Sequence, residues 1–74
     1  MEHNILLYKT KKYLIFYNSK IDCIHILKAQ GDFVTNSIYT KDFEPISSYS
    51  RLTKAELKEV MPIVTDKLVE LGLI

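Results

Sequence analysis

The chain has 74 residues, 47% hydrophobic and 26% charged, with a net charge of +1, two Gly, two Pro, one Cys and no Trp. A chain of this length buries only about 60% of the surface its unfolded form exposes, so it holds one domain (residues 1–74) with one small core, which excludes a multi-domain enzyme. The apolar content also excludes the low-hydrophobicity, high-charge regime of disordered proteins, and a lone Cys23 excludes an intramolecular disulfide.

Residues 1–4 carry no basic n-region, and the apolar run at 5–8 is too short for a signal peptide or a membrane span. A secreted domain this small would normally carry two or more disulfides, so the expected location is the cytoplasm, with no membrane partner. Nine Lys and nine Ile against a single Arg point to a phage or low-GC bacterial source. Charge is uneven along the chain: residues 1–41 hold six lysines and three acids, whereas residues 42–74 hold four bases and six acids.

Residues 4–9 and 12–17 are rich in Ile, Leu, Tyr and Phe, and the polar pair Thr10-Lys11 between them has the length of a two-residue hairpin. Asn18-Ser19-Lys20 is the next turn signal, before an apolar stretch at 21–28. This third segment also fits a helix, with a capping-box pattern over Ser19-Lys20-Ile21-Asp22 and Gly31 as a C-cap. Ile21, Ile24 and Ile26 favour the strand reading, because β-branched side chains lose χ1 freedom in a helix. Gly31 then supplies the positive φ of a turn before a fourth strand at 33–40. Residues 41–52, with Pro45 and the hydroxyls of Ser47, Ser48, Tyr49 and Ser50, form a connection that has room for a short edge strand.

The C-terminal segment is a helix over about residues 54–71. Thr53-Lys54-Ala55-Glu56 is a capping box, and Leu52 and Leu57 take the positions of a hydrophobic staple. Leu57, Val60, Met61, Val64, Leu68 and Leu71 follow one helical face, and Gly72 is placed as a left-handed C′ residue with Leu73 folding back. Pro62 removes an N–H and meets the carbonyl of Lys58, so a kink or break is expected near residues 58–62. The expected fold is α+β: a four-stranded antiparallel β-meander followed by one Pro-kinked helix packed on one face.

A helix of about 18 residues is about 27 Å long and covers one face of such a sheet. Alternation leaves apolar side chains on both faces, with Tyr13, Ile15 and Tyr17 on one and Leu14 and Phe16 on the other. An uncovered apolar face marks a contact site. The expected cover is another protein or a second copy of the chain; the alternative cover is the loop, through Phe43, Ile46, Tyr49 and Leu52.

Catalytic patterns are sparse. Cys23 and His25 share a strand face, but a structural zinc site needs four ligands and the chain offers one Cys and two His. The carboxylates Asp22, Asp32, Asp42 and Glu44 are scattered singly, and there is no Gly-rich phosphate loop and no Gly-x-Ser-x-Gly elbow. No enzyme activity, cofactor or metal is expected. The sequence reads as a non-enzymatic protein-interaction module, a small regulator, inhibitor or immunity-type factor acting as a homodimer or on a host protein. Its docking residues are expected to be Tyr13, Ile15, Tyr17, Phe43, Tyr49 and Arg51, together with any open edge strand. The alternative is a single-stranded nucleic-acid-binding domain using Lys9, Lys11, Lys12, Tyr13, Tyr17 and Lys20, because a basic sheet bearing aromatics is a platform for stacked bases. A pI of about 7.8 and a single Arg weigh against it.

Overall fold

Strand alternation, turn chemistry and a helix cap combine in one open sheet with one helix laid across it. The computed structural model describes residues 3–46 and 51–74. Strands β1 (Asn4–Lys9), β2 (Tyr13–Asn18), β3 (Cys23–Gln30) and β4 (Phe33–Thr40) form an antiparallel meander in the order β1-β2-β3-β4, followed by helix α1 (Lys54–Glu70). The architecture is the α+β fold read from the sequence. Its third segment is a strand paired on both sides, to β2 and to β4, and not the rival helix.

The turns show why β2 and β3 begin later than expected. The Thr10 hydroxyl accepts from the backbone N–H of Lys12 (3.1 Å) and of Tyr13 (2.9 Å), while the Thr10 N–H donates to the Tyr13 carbonyl (2.8 Å). Lys12 is thereby drawn into the β1–β2 turn, and no residue of this turn has positive φ. At the β2–β3 turn the Asn18 side-chain oxygen accepts from the N–H of Lys20 and Ile21, an Asx-turn that delays β3 until after Asp22, which itself takes φ 56°. Gly31 occupies φ 63° between Gln30 and Phe33, as its lack of a Cβ permits. A bulge between Leu6 and Tyr8 leaves Leu7 buried in the core.

The core lies between the sheet and α1. Ile15, Ile24 and Ile26 from the inner strands, with Tyr39 from β4, meet Val60, Val64 and Leu68, all at 1% exposure or less. Full burial of each large aliphatic chain contributes about 1.5–3 kcal/mol. Met61 and Leu71, expected on the same stripe, are exposed. Met61 lies about 60° from the stripe's centre at 100° per residue, and Leu71 is the C-cap.

Both helix ends are closed by backbone-specific chemistry. Thr53 and Glu56 form the reciprocal capping box, with Thr53 N–H donating to Glu56 Oε1 (2.9 Å) and Glu56 N–H donating to Thr53 Oγ1 (3.2 Å). At the far end Gly72 has φ 73°, its N–H donates to the Val69 carbonyl (3.0 Å), and the Leu73 N–H donates to the Leu68 carbonyl (2.8 Å), which is a Schellman closure. The helix runs unbroken through Pro62. Pro62 and Lys58 both lie on the solvent side, so water can satisfy the carbonyl that proline leaves without a donor.

Glu56 joins this cap to the sheet. Lys28 Nζ lies 3.1–3.2 Å from both carboxylate oxygens and Lys12 Nζ 3.4 Å from one, while the Glu56 side chain is 13% exposed. The Thr53 N–H, followed by the two lysines, outweighs desolvation and holds the Glu56 carboxyl well below its ordinary 4.5, at about 2. A depressed carboxyl stabilises the fold above its unfolded value, and that contribution fades as pH falls from 4.5 towards 2. Glu56→Ala is expected to cost on the order of 2 kcal/mol near neutral pH, and the gap to wild type should narrow steadily below pH 4.5 to a small fraction of that by about pH 2. Urea titrations at several pH values check both parts; a gap that does not vary with pH would refute the assignment.

A second anchor holds the loop end of the core. The Leu52 N–H donates to the buried hydroxyl of Tyr39 (2.8 Å), whose ring lies 6.0 Å from that of Phe43. Removing the hydroxyl strands a buried N–H, so Tyr39→Phe is expected to lower stability by about 1–2 kcal/mol while leaving the ring packing in place. Equilibrium unfolding of the two proteins gives the difference directly.

Candidate functional site

The register decides which side chains remain available. Tyr13, Ile15 and Tyr17 stand opposite Lys28, Ile26 and Ile24, which in turn stand opposite Thr35, Ser37 and Tyr39. This is the row that α1 covers. The expectation that Tyr13, Ile15 and Tyr17 form a free docking surface is therefore corrected: at 2%, 0% and 5% exposure they are core residues. Their hydroxyls end at the rim of the core, where Tyr13 reaches Glu59 (3.5 Å) and Tyr17 donates to Asp22. A tyrosine can bury its ring and keep its hydroxyl paired at an edge, which is why the type alone did not distinguish core from contact surface.

The remaining docking candidates divide. Phe43 is also a core residue, tucked beneath Tyr39 with φ 64°, and not a free loop aromatic. Arg51 is exposed, and Tyr49 lies outside the described residues. The loop occupies the C-terminal end of the β4 edge: Ile46 N–H donates to the Ile38 carbonyl (2.9 Å), Thr40 N–H donates to the Glu44 carbonyl (2.9 Å), and Pro45 bridges Tyr39. A proline-bearing segment along an edge discourages strand addition there, and the β1 edge carries the bulge.

The opposite face of the sheet holds Leu6 on β1, Leu14 and Phe16 on β2, His25 and Leu27 on β3, and Val34 and Ile38 on β4. None of these belongs to the core cluster. Leu6 is 49% and Val34 67% exposed, while the others are half-buried by one another. Asn4, Asn18, Asn36 and Thr40 border this patch, and Lys9, opposite Leu14 at a corner, is the charged strand residue on this face among those described. At the same corner a shallow depression of about 260 Å³ is lined by Leu14, Leu27, Ala29 and Val34, with Lys9, Lys11 and Lys12 around it. Phe16 and His25 face each other across the two inner strands, and His25 Nε2 is buried with no hydrogen-bond partner. This patch, and not the tyrosine row, is the candidate site; its signal in the sequence is the alternate positions Leu14 and Phe16 on β2, with Leu27 on β3 and Ile38 on β4.

The basic residues do not converge on it. Lys12 is held by Glu56 and lies 5.2 Å from the centroid of the Tyr13 ring. Lys9 and Lys11 sit at the β1–β2 end of the sheet, whereas Lys20 is in the β2–β3 turn, the length of β2 away, about 20 Å. With Tyr13 and Tyr17 buried, the six residues expected to bind a nucleic acid do not form one basic, aromatic surface.

The ionisable groups with shifted properties are structural. Asp22 is held below the usual carboxylate range by the Tyr17 hydroxyl and then by Lys41, whose Nζ lies 3.1 Å from it and 3.0 Å from the Leu73 carbonyl. These contacts tie the β2–β3 turn to the end of the chain. Burial pushes the Cys23 thiol up, and its Sγ donates to the Ile21 carbonyl (3.1 Å). Among the described residues no group of three or more His, Cys, Asp or Glu is placed to hold a metal ion, and no helix is long and apolar enough to cross a membrane.

Compared with known proteins, the chain has no significant match among family models, curated proteins or solved structures. A raised, buried thiol is a poor nucleophile. Native Cys23 is therefore expected to react with iodoacetamide at pH 7.5 at least about tenfold more slowly than in the urea-unfolded chain. Mass spectrometry of timed samples tests this, and equal rates would contradict the packing described for β3.

Proposed function

We propose that this chain is a non-enzymatic protein-interaction module, a small regulator, inhibitor or immunity-type factor of the cytoplasm, that works by docking its uncovered sheet face on a protein. One observation carries the reading: an apolar patch with Leu14, Phe16, Leu27 and Ile38 at its centre lies on the face opposite α1, outside the core cluster. A contiguous patch of this kind on a small domain marks a contact surface, whereas an antiparallel sheet with one solvated face carries polar side chains at such positions. The absence of a converging lysine set favours a protein over a nucleic acid as the partner.

The expected docking residues shift accordingly from the tyrosine row to Phe16 and Leu27. Affinity capture from a cytoplasmic extract, with wild type set against Phe16→Glu and Leu27→Glu, tests the proposal. Both substitutions lie outside the core, so the melting temperature should change by only a few degrees. A specifically retained protein, or an untagged copy of the chain itself, is expected to be lost at least about tenfold in both variants, since a charge buried against an apolar partner costs several kcal/mol. Equal capture by all three proteins, or no capture by wild type, would overturn it.

A further inference from the structure

The sheet face opposite α1, which no described residue covers, is apolar, nearly free of charge and four strands wide, and these three properties together select its occupant. We infer that it is the interface of a two-fold symmetric homodimer, in which two sheets pack face to face and the two helices lie outermost. This inference rests on the docking reading above and names the partner.

Area is the first argument. Strands of 6 to 8 residues, about 4.8 Å apart and rising about 3.3 Å per residue, give a face of about 400 Å² in plan. Two such faces with their side-chain relief remove about 1,000 Å² from water, below the roughly 1,200–2,000 Å² of stable interfaces and in the class of weak, transient ones. The dimer is therefore reversible, with a Kd of about 1–100 µM, and not obligate.

Charge is the second argument. A nucleic acid or a strongly charged protein needs complementary charges on the face, and the strand residues described there supply Lys9 alone, at a corner. A neutral apolar face is complementary to another of the same kind, and its own copy meets that condition without further requirement. A two-fold axis lying in the plane of the interface and not running through the Lys9 corner keeps the two copies of Lys9 apart, so nothing on the face repels its duplicate. Sheets stacked this way lie about 10 Å apart with their side chains interdigitated.

The centre of the face is the pair Phe16 and His25 on the inner strands. Under two-fold symmetry each residue near the axis meets its own counterpart, so one substitution there places like charges against each other.

Light scattering on a sizing column, over protein concentrations of about 1–500 µM, tests the inference. Wild type is expected to rise from 8.6 kDa towards twice that mass. Phe16→Glu and Phe16→Lys should each remain monomeric and folded by circular dichroism, while their equimolar mixture should recover the dimer mass through opposite charges at the axis. Three results overturn the homodimer: wild type monomeric throughout, a wild-type dimer unaffected by either substitution, or a mixture that stays monomeric. The dye ANS then separates the two levels. A monomer that binds ANS, with binding lost in Phe16→Glu, keeps the docking reading with another protein as occupant; a monomer that binds none defeats both.

Discussion

The Glu56 carboxylate is the constraint on which the arrangement depends. It closes the helix N-terminus by accepting from Thr53, and it receives Lys28 from β3 and Lys12 from the turn before β2. Lys28 stands on the same side of the sheet as Ile26 and Ile15, and Lys12 reaches the same carboxylate from the turn. A carboxylate fixed at the third residue of a helix and held by Lys28 on one side of the sheet favours the covering of that side. Burying the pair costs desolvation, which offsets part of its stabilisation, so the contact acts on which arrangement forms as well as on how stable it is.

Selection of a face at one end needs a hold at the other. Lys41 supplies it by touching Asp22 in the β2–β3 turn and the Leu73 carbonyl beyond α1. The Schellman closure brings Leu73 back over the last helical turn and gives Lys41 a carbonyl to reach. Between these ends Val60, Val64 and Leu68 provide a narrow stripe, enough to seal one face and no more. A single helix cannot serve both sides of the sheet, and among the described residues nothing covers the face holding Phe16 and Leu27.

The legible parts of this fold are those governed by neighbours in sequence. Thr53 and Glu56 announce the cap, Gly72 the helix end and Gly31 the turn, because each acts within a few residues and has a side-chain or backbone requirement that few residue types meet. The choice of sheet face was not legible. Tyr13, Ile15 and Tyr17 are no more apolar as a set than Leu14, Phe16, Leu27 and Ile38, so the period-2 pattern is satisfied either way. What separates the two is contact across long stretches of chain, Lys28 to Glu56 and Tyr39 to Leu52, which no local window contains. Phe43 was misread for a related reason: its left-handed backbone turns an apparent loop aromatic into the core, and nothing about a phenylalanine signals φ 64°.

The open face is also where stability and composition part company. Polar residues at positions 14, 16, 27 and 38 would satisfy the alternation of a one-sided sheet and leave every core contact with α1 intact. Leucine, phenylalanine and isoleucine there gain only the partial shelter that neighbours on the same face provide. His25 lies among them with its Nε2 buried and without a hydrogen-bond partner among the described residues, a cost to the folded chain that a leucine of similar size would avoid. The apolar choice at these positions thus has no explanation in the packing of the described residues. It is accounted for if the face is completed by contact, since burial against a second surface is the condition under which an apolar side chain on this side of the sheet contributes fully.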